Sequence, residues 1–210
     1  MAEQKRLRKQ VLAEGRRQLI LGAAKEVFAS EGLEGASLRA IAAKAGYTPA
    51  ALYFHFPSKE AIYADLLRSS LHSLQSEVSH AVSKLDHPRC RLRAAAMAFY
   101  HYYARNAREL DLGFYLFRGG MKPAGLSTET DTELNKALDN ALRPVAVAAV
   151  ELGVSQQEAD LLMVGVFAHA TGLLLLLHTG RIKMFNAAPK ALMEAFVESK
   201  LREIETGIQQ

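Results

Sequence analysis

The chain has 210 residues, half of them hydrophobic and 23% charged, a globular composition that excludes wholesale disorder. Its 26 Lys and Arg stand against 22 Asp and Glu, a formal net charge of +4. A single cysteine, Cys90, excludes an intramolecular disulfide framework and a cysteine-rich zinc module, and fits a reducing compartment.

The charge is unevenly placed. Residues 1–60 hold ten Lys/Arg and six Asp/Glu, which accounts for the whole net charge, while residues 61–210 hold sixteen of each sign. A basic quarter on a neutral remainder fits a nucleic-acid-binding head on a core-rich body, and equally a solvated lysine-arginine tail. Lys5, Arg6, Arg8 and Lys9 open the chain and no apolar run precedes Leu19, so no secretory signal is expected and the expected location is cytoplasmic.

Residues 1–14 read as a basic arm, either reaching DNA as such arms do or forming a disordered tail. Ile20, Ala23, Ala24, Val27 and Phe28 then recur at the spacing of one helix face, which Gly32 and Gly35 break. Ser37 is placed to cap a short second helix with Leu38, Ile41, Ala42 and Ala45 on its apolar side, ended by Gly46. Thr48-Pro49 opens a third, which stops before Pro57. Ser58 caps a long fourth, striped by Leu67, Leu71, Leu74, Val78, Ala81 and Leu85 as far as the Asp86-His87-Pro88 break. Helices are expected over 89–106 and 108–118, followed by a loop at Gly119, Gly120, Pro123 and Gly125. A seventh begins near Ser127–Thr130, bends at Pro144 and stops at Gly153. The capping box Ser155-Gln156-Gln157-Glu158 opens the eighth, and the ninth covers 187–206. The fold class is all-α, about nine helices with no internal repeat, read as the arm over 1–14, a DNA-reading head over 15–60 and a helical body over 61–210.

From Leu161 to Leu177 the chain is apolar nearly all round, yet the run is 17 residues long and contains His169 and Thr171. That is slightly short of the roughly 20 residues of a membrane span. Gly165, Ala168 and Gly172 would let a second helix come close, so buried core or a subunit interface is the reading preferred over a membrane.

Residues 37–60, SLRAIAAKAGYTPAALYFHFPSKE, are the specific stretch. Two short helices joined by a glycine turn suit a helix-turn-helix, whose second helix enters the DNA major groove; periodicity alone suits an ordinary helical hairpin as well. Ala42 is small at the crossing and Ile41, Ala45 and Leu52 supply the apolar wedge. Ser37, Thr48, Tyr53, His55 and Lys59 can meet phosphate.

The residues themselves resemble the DNA-binding domain of the tetracycline-repressor (TetR) family of bacterial transcription regulators. The likeness rests on Leu52-Tyr53, Phe54-His55-Phe56 and Lys59, together with Phe28-Ala29, Gly32, Ser37-Leu38, Ile41-Ala42 and Ala45-Gly46, and it covers roughly 16–66. It implies an N-terminal three-helix DNA-binding domain and a C-terminal helical domain for effector binding and dimerisation. It implies that Tyr53 and His55 contact phosphates, that Lys59 and the start of its helix anchor another, and that Arg39 and Thr48 lie where base or phosphate contacts are made. Pro49, Ala50 and Ala51 carry no hydrogen-bonding side chains, so that helix would read thymine methyls by apolar contact, leaving Arg39 as the candidate for guanine.

Seven of the sixteen aromatic residues fall between positions 99 and 117. They suit either plain core filling or an effector cavity. The candidate lining is Met97, Phe99, Tyr102, Phe114, Phe117, Met163 and Phe167, with His101, His169 and Thr171 as polar points. The family resemblance implies a regulator whose effector weakens DNA binding by altering the separation of two DNA-reading heads; the balanced charge of the body makes a small hydrophobic effector the expectation. The expected partners are a pseudo-palindromic DNA operator and a second copy through helices 8 and 9. Motifs of metalloproteases, serine hydrolases and P-loop enzymes are absent and the histidines are scattered, so no enzyme activity, cofactor or metal is expected. Cys90 beside Arg89 and Arg91 is either a redox sensor or inert. The alternative to a regulator is a membrane-associated or purely structural helical interaction protein.

Overall fold

The computed structural model describes residues 1–114 and 126–207, all helical or in short connections, with no strand among them. Among the described residues nine α-helices follow one another: α1 (Ala2–Gly35), α2 (Leu38–Ala45), α3 (Pro49–Tyr53), α4 (Lys59–Val82), α5 (Pro88–Arg105), α6 (Ala107–Phe114), α7 (Thr128–Glu151), α8 (Gln156–His178) and α9 (Pro189–Gly207). A short 3-10 helix, Arg181–Phe185, precedes α9. The glycine-rich stretch after α6 lies outside the described residues. The chain divides into two compact units, residues 1–69 with 111–132 and residues 70–110 with 133–210.

Local chemistry explains the helix boundaries. Ser37 Oγ accepts from Ala40 N at 3.1 Å, Thr48 Oγ1 from Ala51 N at 3.2 Å and Ser58 Oγ from Ala61 N at 3.1 Å. Each hydroxyl satisfies one of the N–H groups that a helix start leaves unpaired. Gly46 closes α2 at φ 73°, the left-handed region that glycine enters without a Cβ penalty. Ser155 and Glu158 complete their capping box at the head of α8.

Helix α7 is one element with Pro144 inside it, as read. Three features differ from the sequence reading. The first helix does not wait for Ile20: α1 starts at Ala2 and carries the basic arm as helix, with its non-helical residue at Gly32. The fourth helix ends at Val82, short of Leu85. The 3-10 helix between α8 and α9 has no periodic signature of its own; Gly180 and Asn186 bound it in left-handed conformations.

In the first unit, Ile20, Ala24, Ile41, Ala42, Leu52, Phe56 and Ile62 are buried and join α1 to α4 around one small core. Phe28 and Tyr63 meet edge to face at 5.8 Å. The second unit packs α5, α8 and α9 against one another. Helix α8 is long and apolar enough to cross a membrane by length and composition. It is two-faced in this fold. Ala159, Met163, Val166, Ala170, Leu173 and Leu174 are buried, whereas Leu161, Val164, Ala168 and Gly172 lie exposed on the opposite side. A Cβ added at Gly165 or Gly172 would meet nothing within 4 Å. The small residues therefore face open space, not another helix of the same chain.

Candidate nucleic-acid interface

The helix-turn-helix rests on three buried apolar groups, Ile41 and Ala42 of α2 and Leu52 of α3, each 0% exposed. Ala45, read as part of this wedge, is only half-buried. Leu52 and Phe56 are four residues apart and both point inward, so the residues between them are turned outward. Tyr53 is 58% exposed and Phe54 91% exposed. His55 is half-buried and meets Tyr47 edge to face at 6.3 Å. Ser37, Arg39, Thr48, Pro49 and Ala50 are exposed and Ala51 half-buried. Tyr53 and His55 are thus not core aromatics; they stand on one short segment beside the exposed end of α3.

The two cap hydroxyls retain a role toward solvent. Thr48 Oγ1 and Ser37 Oγ accept backbone N–H groups, which leaves each O–H able to donate to an anion. Lys59 is placed differently from a freely reaching surface lysine. Its Nζ donates to the carbonyls of Glu34 and Ala36, both at 3.0 Å, tying the first residue of α4 to the C-terminal end of α1. Lys44 pairs with Glu26 at 2.7 Å and fastens α2 to α1. Arg17 pairs with Asp65 at 2.6 Å and lies over the Phe56 ring at 4.9 Å, which fixes α1 beside the segment that carries His55.

Phe54 is the exposed residue that sequence reasoning passed over. It entered only as one of the residues carrying the family likeness, Phe54-His55-Phe56, with no role of its own. The signal was the four-residue spacing of Leu52 and Phe56, which turns Phe54 outward once both are buried.

The aromatic residues of the second unit form a packed cluster. Phe99 meets Tyr103 at 5.2 Å and Phe167 at 5.8 Å, both edge to face, and Tyr102 meets Tyr103 at 5.1 Å. Met97, Phe99, Tyr102 and Met163 are buried. Tyr102 donates its hydroxyl to the Ser70 carbonyl at 3.1 Å, and burial raises the pKa of the Tyr103 hydroxyl strongly. The Thr171 hydroxyl donates to the Phe167 carbonyl at 2.8 Å. His169 stacks face to face on Phe196 of α9 at 4.0 Å, and burial lowers its pKa. The pKa of His101 is lowered too, first by burial and then by Lys190 and Arg105. His169 therefore faces α9. Phe114 closes α6 in the other unit, and Phe117 lies outside the described residues.

Residues 20–66 match the family model for bacterial regulatory proteins of the tetR family. Over that segment the chain is similar to the tetR family. It is 36% identical over 99 residues to the HTH-type transcriptional activator FasR of Mycolicibacterium smegmatis, a match covering 47% of this chain and 45% of that protein. It spans less than half the length of the curated relatives it matches. A TetR-like transcriptional regulator from Rhodococcus sp. RHA1 shares the fold with TM-score 0.67 and 21% identity, over 89% of this chain and 96% of that one. The transcriptional regulator FadR from Bacillus subtilis in complex with stearoyl-CoA does so with TM-score 0.66 and 17% identity, over 86% and 95%. The tetR-family match covers α2 and α3 entire, with the buried part of α1 and the first turns of α4.

Proposed function

We propose that this chain is a sequence-specific DNA-binding transcriptional regulator of the tetR family, a repressor that a small hydrophobic effector releases from its operator. One observation carries the reading: a capped, five-residue α3 on a fully buried wedge, inside the family-matched segment, that turns Tyr53 and Phe54 to solvent. Side chains of that size are kept exposed at a cost in solvation, which contact with nucleotides would recover. In this reading Tyr53, His55, Ser37 and Thr48 hold phosphates and Lys59 contributes charge beside them. Arg39 reads a guanine edge, and Pro49, Ala50 and Ala51 lie against thymine methyls.

A five-residue helix reads few base pairs, so two copies must act together on half-sites about 34 Å apart. The face of α8 that carries Leu161, Val164, Ala168 and Gly172 fits a second copy. Ala191, Leu192 and Ala195 extend the apolar exposure along α9. Burying this face in a dimer also answers the membrane reading of α8, and a cytoplasmic location goes with it. The aromatic cluster of α5 and α8 favours a hydrophobic effector, and the FadR neighbour is in complex with stearoyl-CoA, whose acyl chain is apolar though its head is charged.

Selection of bound sequences from random duplexes with the purified full chain tests the proposal. Enrichment of a two-fold symmetric site is the expected result; no enrichment of any duplex would overturn it. A reporter driven through the recovered site should fall on adding the protein. A rise would leave DNA binding in place and reverse the sign of regulation.

A further inference from the structure

Resting on the reading of α3 as a DNA-contacting helix, we infer that the first four turns of α1 form a rigid basic helix that lies along the phosphate backbone flanking each half-site. Among the described residues, burial in α1 begins at Ile20; before it, Leu7, Val11, Leu12 and Leu19 are 60 to 64% exposed and only Arg17 is half-buried. Residues 2–16 hold Lys5, Arg6, Arg8, Lys9 and Arg16 against Glu3 and Glu14. This helix supports no core. Basic residues in the first turns also oppose the helix dipole, so they cost the isolated helix some stability. A polyanion reverses that balance by neutralising their mutual repulsion.

The point of departure favours nucleic acid over other polyanions. Arg17 is pinned to Asp65 and over Phe56, one residue beyond His55, so the arm leaves the body beside the proposed phosphate-contacting segment. Fifteen helical residues extend about 22 Å, the rise of about six base pairs. A helix is too wide for a minor groove of about 6 Å, so the arm meets the phosphate ridges and does not insert between them.

The test is salt dependence, measured by fluorescence anisotropy on the selected duplex with long flanks. Charge neutralisation by Lys5→Gln, Arg6→Gln, Arg8→Gln and Lys9→Gln keeps the helix. It should weaken binding and reduce the slope of log affinity against log salt by up to about 7 for the two arms together. Trimming the flanks by about six base pairs should abolish the difference between this variant and the wild type. Ala13→Pro breaks the helix and leaves every charge in place. It should recover the trimmed-flank behaviour if rigidity matters, and wild-type behaviour would reduce the arm to a flexible tail and overturn the inference. An unchanged slope in the neutralised variant, with the wild type still binding tightly, would also overturn it while leaving the regulator reading intact. Sedimentation with phosphatidylglycerol vesicles that depends on the same four residues, alongside an unchanged slope, would assign the arm to a lipid surface instead.

Discussion

The ammonium of Lys59 bonds the carbonyls of Glu34 and Ala36, groups that the end of α1 leaves without a helical partner. Lys59→Ala is therefore expected to lower Tm as well as duplex affinity, with about 1–2 kcal/mol lost from folding as the two carbonyls lose a charged donor. A residue acting on phosphate alone would leave Tm where it was, so calorimetry beside a binding titration separates the two roles. Phe54 is the opposite case. It is 91% exposed, and Phe54→Ala should leave Tm unchanged while weakening the selected duplex about tenfold through lost apolar contact. Arg39→Ala should cost about 1–3 kcal/mol and relax one operator position when the selection is repeated. Equal tightness and equal selectivity would remove Arg39 from the interface.

At the scale of elements, the turn between α2 and α3 depends on one backbone conformation. Gly46 sits at φ 73°, and a Cβ there would meet open space, so the penalty of Gly46→Ala is conformational and not steric crowding by neighbours. It should destabilise the first unit by about 1–2 kcal/mol in a denaturant titration. This turn and the hydroxyl caps at Ser37, Thr48 and Ser58 were legible because each is a relation between residues at most four positions apart, within reach of a sequence pattern. The bond from Lys59 to Ala36 spans 23 positions and has no local trace. Pro144 lies inside α7, which continues through it with Leu142, Val145 and Ala146 buried around it.

At the scale of the whole molecule, the proposed dimer rests on the exposed face of α8. Gly172→Glu adds a charge where no neighbouring atom lies within 4 Å, so the protomer should fold normally. Light scattering should show a monomer and the two-fold site should no longer be bound tightly. A dimer that survives this change would move the interface elsewhere. Acid should loosen the second unit. His169 and His101 have pKa values below the ordinary 6.5, each first because of burial, so the unfolded chain binds protons that the folded chain refuses. The stability held by the neutral rings is present above about 6.5 and is lost as pH falls from there toward the folded values. His101 also faces Lys190, Arg105, Glu194 and Glu77, and only the two cations push in the same direction as its burial. His169→Phe should flatten the fall of Tm with acid, because the stack on Phe196 is kept without a titrating group.

The sequence by itself determined the all-helical class, the positions of caps and turns and the likeness of residues 20–66 to the tetR family, because these follow from spacing, hydroxyl placement and residue types read over a few positions. Tertiary structure alone decided which faces of those helices are used. The apolar α8 reads as core, interface or membrane span; Met163 and Val166 are buried on one side and Leu161 and Val164 open on the other, so it is core on one face only. The basic start of the chain reads as an arm that reaches DNA or as a disordered tail, and only the structure adds that it is helical from Ala2. The physical reason is the same in both cases. Periodicity records that a residue is apolar or charged, whereas solvation depends on what other segments bring against it.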